Sequence, residues 1–146
     1  MGVLLRGKSG DFILNNQGWV MLLRLAWDYG WRPRGTVSPR HWLTNELRER
    51  ATNWNPADYV TCRGQTVTAL DAQLFADALA AVLDDLPHDD PLPSEDLIRV
   101  EAPGFPAITY LSDSRTIHPF EQFGGVNKSG FHEFIHFCRQ GGFSIW

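Results

Sequence analysis

Cysteine is scarce in this chain. Cys62 and Cys138 are the only two in 146 residues, too few for the disulfide framework of a small secreted scaffold. Both are expected to be free thiols. Positive charge is not in excess either: the formal net charge is −4, which weighs against a nucleic-acid partner, since that needs a basic footprint. Lysine occurs only at Lys8 and Lys128, so the basic residues are almost all arginine. There is no long hydrophobic run. The longest, Trp19 to Trp27, is broken by Arg24 and is far too short to span a bilayer. The opening stretch MGVLLRGKSGDF returns to charge and glycine after a brief apolar start, so no signal peptide is read there and a cytoplasmic location is expected. No G-x-S-x-G, P-loop or dinucleotide fingerprint is present, and Gly124-Gly125 and Gly141-Gly142 lack the strand–glycine–helix context of a phosphate site.

What is there is ordinary globular material with many aromatics. Hydrophobic residues make up 43% and charged residues 21%, a balance that builds a core rather than a disordered chain. The length suits a single domain over residues 1–146. Six tryptophans and nine phenylalanines exceed what such a core usually needs, so some Trp is expected at the surface.

Three helices are predicted. The first runs from Asn16 to Tyr29, with Asn15 or Asn16 as N-cap, Gly30 as the stop, and Trp19, Leu22, Leu23, Ala26 and Trp27 at helical spacing. The second runs from Ala69 to Leu86. Thr68 caps it, Asp71 stands in the position of a capping-box acid, and Leu70, Leu74, Phe75, Ala78, Leu79, Val82 and Leu86 form its apolar stripe. The third runs from Ser129 to Gln140 and stops at Gly141-Gly142, and Phe143 to Trp146 follows as a strand or docked tail. A shorter helix is expected from Arg40 to Arg50. Trp54 to Thr68 reads as two extended pieces around Arg63-Gly64, and Leu97 to Phe123 as irregular, with a strand at Ile108, Tyr110 and Leu111. The class is therefore α+β: a single compact domain of three main helices with a few short strands.

The third helix carries His132-Glu133-Phe134-Ile135-His136, a match to H-E-x-x-H. Histidines four apart share a helical face, so both imidazoles can approach one Zn²⁺, with Glu133 as general base on a metal-bound water. A catalytic zinc needs a third protein ligand. The ten residues after the motif, FCRQGGFSIW, contain no His, Glu or Asp. The ligand would have to lie upstream, for instance at His118 or Glu121. The helix also has a simpler account, because Phe131, Phe134, Ile135 and Cys138 form an i, i+3, i+4, i+7 packing stripe. The expectation is a packing helix without a metal or catalytic residue; a zinc-dependent hydrolase using His132, His136 and Glu133 is the alternative.

Two further features point to a partner. Asp84, Asp85, Asp89, Asp90, Glu95 and Asp96 lie in a stretch without Lys or Arg, either a solvated loop or a face that meets a basic partner. The segment from Trp31 to Arg50 holds five Arg and two Trp, the composition of interface hot spots and of base-stacking surfaces. Net acidity favours protein over RNA or single-stranded DNA. Trp42 and Trp54 are the aromatic binding candidates, and Asp84, Asp85, Asp89 and Asp90 the acidic ones.

Three stretches, WVMLLRLAWDYGWRPRGT, GQTVTALDAQLFADALAAVL and FIHFCRQGGFSIW, resemble a group of small uncharacterised bacterial proteins and cover about a third of the chain. In size and organisation such proteins look like the immunity proteins that neutralise bacterial toxins. The resemblance implies a non-enzymatic role in binding a protein, a cognate toxin domain, and carries over no functional residue.

Overall fold

The computed structural model describes residues 2–39, 54–86, 97–102, 105–111 and 127–146. Among them are three helices, a five-stranded antiparallel sheet and a separate two-stranded hairpin. The α+β class is therefore as read from the sequence.

The chain opens with a hairpin that sequence reasoning overlooked, β1 (Gly2–Gly7) and β2 (Gly10–Asn15). Its register runs from Gly2 opposite Asn15 to Gly7 opposite Gly10, leaving Lys8-Ser9 as the turn. Gly10 takes the positive φ, at +136°, which glycine adopts without penalty. Strand periodicity sends Val3 and Leu5 into the core, with Phe12 and Leu14 beside them on the same face.

Helix α1 (Asn16–Asp28) starts and stops where its local chemistry dictates. The Asn15 side chain accepts from the Gly18 N–H at 2.6 Å. At the far end Trp31 N–H bonds to Ala26 C=O at 2.8 Å and Gly30 N–H to Trp27 C=O at 3.1 Å, with Gly30 at φ +97°. These paired bonds around a left-handed glycine satisfy carbonyls that the helix would otherwise leave open. Two short strands follow, β3 (Thr36–Val37) and β4 (Gln65–Val67). Residues 54–64 contain no strand, so the two extended pieces expected around Arg63-Gly64 reduce to β4 alone.

Helix α2 (Ala69–Asp85) is capped by Thr68, whose hydroxyl accepts from Asp71 N–H at 3.2 Å. Two members of its predicted stripe are misplaced. Leu70 and Leu74 are exposed, because the helix buries the side that carries Ala72, Phe75, Ala76, Leu79 and Val82. The hairpin of β5 (Leu97–Ala102) and β6 (Phe105–Leu111), irregular at Val100–Ala102, occupies part of the stretch expected to be irregular. It packs against α1. Helix α3 (Lys128–Arg139) and β7 (Phe143–Ile145) complete the described chain. The helix expected from Arg40 to Arg50 lies outside the described residues.

The sheet order is β2-β1-β7-β4-β3. The expected tail is thus the central strand: Ile145 pairs with Leu5 on one side and Gln65 on the other. All three helices supply the apolar layer on one face of the sheet. Its centre is an aromatic cluster in which Trp19 lies 5.9 Å from Phe75 and 6.3 Å from both Phe134 and Phe143. Trp31 is 4.4 Å from Phe75 and 5.4 Å from Tyr59. Both buried indoles find acceptors, as buried Trp must: Trp19 donates to Tyr59 C=O at 2.6 Å and Trp31 to Asp71 C=O at 3.1 Å.

Asp71 does more than a capping residue. Its fully buried carboxylate accepts from the backbone N–H groups of Arg34 at 3.0 Å and Gly35 at 3.0 Å and from the Tyr59 hydroxyl at 3.0 Å. The loop after α1 is thereby stitched to α2.

Candidate protein-binding surface

Because the helices cover one face of the sheet, alternate residues of every strand point away from them. The register sets Asp11, Arg6, Ser144, Thr66 and Val37 side by side across the outward face. In the next row Ile13 stands beside Leu4, and Trp146 N–H bonds to Leu4 C=O at 2.8 Å. Ile13 is 75% exposed, Val37 52% and Trp146 42%. Three of the most exposed large apolar residues thus share one surface.

Trp146 is held rather than loose. Its indole N–H donates to Ser144 Oγ at 2.8 Å, and the Arg6 guanidinium lies 5.9 Å from the ring centre. The ring covers Gly64, where an added Cβ would meet it at 2.7 Å, and Gly64 has φ +85°. A larger residue at position 64 would be strained and would push the indole aside. An aromatic fixed in this way offers contact area at little entropic cost. Among the described residues, β2 pairs only with β1. Its outer edge therefore adds main-chain donors and acceptors to the apolar face.

The residues singled out from the sequence fall elsewhere. His132, Glu133 and His136 are exposed on α3, while Phe131, Phe134, Ile135 and Cys138 are buried as their spacing predicts. His136 Nε2 lies 3.2 Å from Gln140 Nε2. Among the described residues no three His, Cys, Asp or Glu side chains come close enough to hold a metal; His118 and Glu121 lie outside those residues. Asp84 is exposed at the end of α2, and Asp85 accepts from the Tyr29 hydroxyl at 2.8 Å, clasping the ends of α1 and α2 together. Burial first, then the neighbouring Asp85, holds the Tyr29 phenol above its usual value. Trp54 is half-buried, its indole N–H donating to Thr36 Oγ1 at 3.1 Å. Trp42, Asp89 and Asp90 lie outside the described residues. Of the Arg-rich segment, Trp31 is a core residue, and Arg32 stacks 3.9 Å from the Trp27 ring centre.

Both cysteines are free. Burial pushes the Cys138 thiol far up, and burial with the nearby Asp58 raises that of the exposed Cys62. Neither thiol is activated as a nucleophile.

Sequence reasoning missed Ile13, Val37 and Trp146. A signal existed for two of them. In FILN and FSIW the alternate residues are apolar enough to fill one face of a strand, which leaves Ile13 and Trp146 for the other. No protein family, curated protein or solved structure matches the chain. No helix among the described residues is long and apolar enough to cross a membrane.

Proposed function

We propose that this chain is a non-enzymatic protein-binding domain whose contact surface is the outward face of the sheet together with the outer edge of β2. One observation carries the reading: Ile13, Val37 and Trp146 are exposed on a face that none of the three helices covers. Ile13, Leu4 and Trp146 lie side by side and Val37 stands on the far edge strand of the same face; exposed apolar residues gathered on one face are a recurring mark of interaction sites. A pinned Trp beside an Arg has the make-up of an interface hot spot.

The narrower form of the proposal is a bacterial immunity protein that neutralises a toxin domain in the cytoplasm. It rests on the resemblance of sequence and on the acidic end of α2. Asp84 is exposed where the helix dipole disfavours negative charge, a placement that suits recognition of a basic partner, while Asp85 beside it also holds Tyr29. Asp89, Asp90, Trp42 and Trp54 are its further binding candidates, read from the sequence and separate from the argument for the sheet face.

Affinity capture from the native host, followed by titration of the captured protein, tests the reading. Wild-type protein is expected to recover one dominant partner. Ile13→Asp, a change at a largely exposed position, should keep the fold by circular dichroism and weaken binding at least about tenfold, the equivalent of 1.4 kcal/mol. Undiminished binding by Ile13→Asp would remove this face from the interface. A toxin gene adjacent in the genome, and survival of toxin-exposed cells only when this chain is expressed, would establish the narrower form; death despite expression would end it.

A further inference from the structure

On the helix side of β2 lies a cleft of about 380 Å³ between β2, the first turns of α1 and the start of α3. That volume falls within the range of small-molecule sites. Its walls include Phe12, Leu14, Met21, Leu22, Phe131 and Phe134, and none of the described residues that line it is charged. The polar group that matters is Gln17, which also lines the cleft. Gln17 is 8% exposed, and its Nε2 is buried without a hydrogen-bond partner. Among the described side chains it is the one with such an orphaned buried atom. Buried amide groups are almost always paired, and one that is not invites an explanation. The nearby Asn15 carboxamide cannot supply an acceptor cheaply, because its Oδ1 is committed to the Gly18 N–H at 2.6 Å.

The geometry points to a ligand site: the cleft takes a small uncharged molecule with an aromatic or branched aliphatic body and one carbonyl-type acceptor, toward which the enclosed Gln17 amide turns to donate. The apolar walls select the body by burial. Among the described lining residues there is no Lys, Arg or His, so the described walls offer no counter-charge to a desolvated carboxylate. A neutral carbonyl satisfies the amide and brings no charge with it. Gly130 on α3 forms part of the mouth, and a Cβ there would meet nothing within 4 Å, so the cleft stays open at that point. The cleft meets the proposed protein-binding surface at β2, where Ile13 lines both, but its body is built from the helix-facing residues and Gln17, so its test does not rely on a protein partner.

The full chain titrated with acetophenone and, separately, with α-methylstyrene, a near-isostere that lacks the carbonyl, tests the site. Two-dimensional NMR follows the backbone amides and the Gln17 side-chain NH₂. Acetophenone is expected to shift the Gln17 NH₂ signals and the amides around the cleft. The preference for ketone over hydrocarbon should be about tenfold greater in wild type than in Gln17→Met, the worth of one hydrogen bond. Gly130→Leu should block both probes while leaving the rest of the spectrum in place. Without ligand, Gln17→Met should be at least as stable as wild type, because it replaces an unpaired polar end by an apolar one of similar shape. Equal preferences in wild type and Gln17→Met, binding unaffected by Gly130→Leu, or a destabilised Gln17→Met would each overturn the assignment.

Discussion

Replacing Asp71 by alanine should be among the most damaging single changes in the molecule outside the aromatic cluster. The carboxylate is fully buried and accepts from three donors, the N–H groups of Arg34 and Gly35 and the hydroxyl of Tyr59. Each donor left without a partner costs roughly 1–3 kcal/mol. The three share one acceptor, so their losses overlap, and a total of about 4 kcal/mol is expected. Asp71→Asn keeps one acceptor oxygen but turns an NH₂ toward a backbone N–H, so about 2 kcal/mol is expected. The backbone acceptor for Trp31 survives in both variants, which keeps tryptophan fluorescence a valid probe of unfolding. With a urea m-value of about 2 kcal/mol per molar, Asp71→Ala should lower the midpoint by roughly 2 M and Asp71→Asn by roughly 1 M. Asp77→Ala, on the exposed side of the same helix, serves as the control. If Asp71→Ala falls within about 0.5 kcal/mol of that control, the loop after α1 is not held by this carboxylate, and the account of how α1 is joined to α2 fails.

The Tyr59 phenol is held above its ordinary value of 10.0 by burial first and the Asp71 carboxylate second. A folded-state value above the unfolded one means that the stabilisation is fully present below about pH 10 and is lost as pH rises beyond it. Urea midpoints should therefore be flat near neutral pH and fall above about pH 10, and Tyr59→Phe should lessen that alkaline fall; an unchanged slope in the variant would show that another group is responsible. For the HEFIH motif, the packing account expects His132→Ala with His136→Ala to move stability by no more than about 0.5 kcal/mol, since both side chains are exposed. Untagged protein should carry less than one zinc per chain, and chelator washing should leave the melting temperature unchanged. One tightly held zinc per chain, lost in the double variant, would favour the hydrolase alternative.

Local chemistry was legible in the sequence and long-range pairing was not. The caps at Asn15 and Thr68 and the stop at Gly30 rest on interactions within a few residues, so they could be read directly and are found in the structure. The packing stripe of Phe131, Phe134, Ile135 and Cys138 was legible for the same reason, because helical spacing depends on neighbours alone. The opening hairpin was hidden by its glycines and by the charge at Arg6, Lys8 and Asp11, which made a two-faced strand pair read as a polar start. Asp71 was misread because a capping acid and a buried loop anchor occupy the same position in sequence; only the approach of Arg34, Gly35 and Tyr59 separates them. The outward sheet face was legible only in part, through the alternation that leaves Ile13 and Trp146 outward. Ile13 and Val37 lie far apart along the chain and share a surface only through the order β2-β1-β7-β4-β3. Gln17 gave no signal, since an orphaned amide is a property of its surroundings.

The position of β7 bears on when the molecule can fold. Leu5 and Gln65 belong to strands that are joined through β7, each pairing with Ile145. During synthesis the first hairpin and the β3–β4 pair must wait as separate pieces, each with an apolar face and an open edge, until the last strand emerges. Closing a loop of this span costs about 2 kcal/mol more than closing one of roughly ten residues, and that cost falls before the sheet yields any return. Joining the two pieces into one sheet therefore depends on three residues, Phe143 to Ile145. The nascent chain is most exposed to aggregation and proteolysis just before they appear.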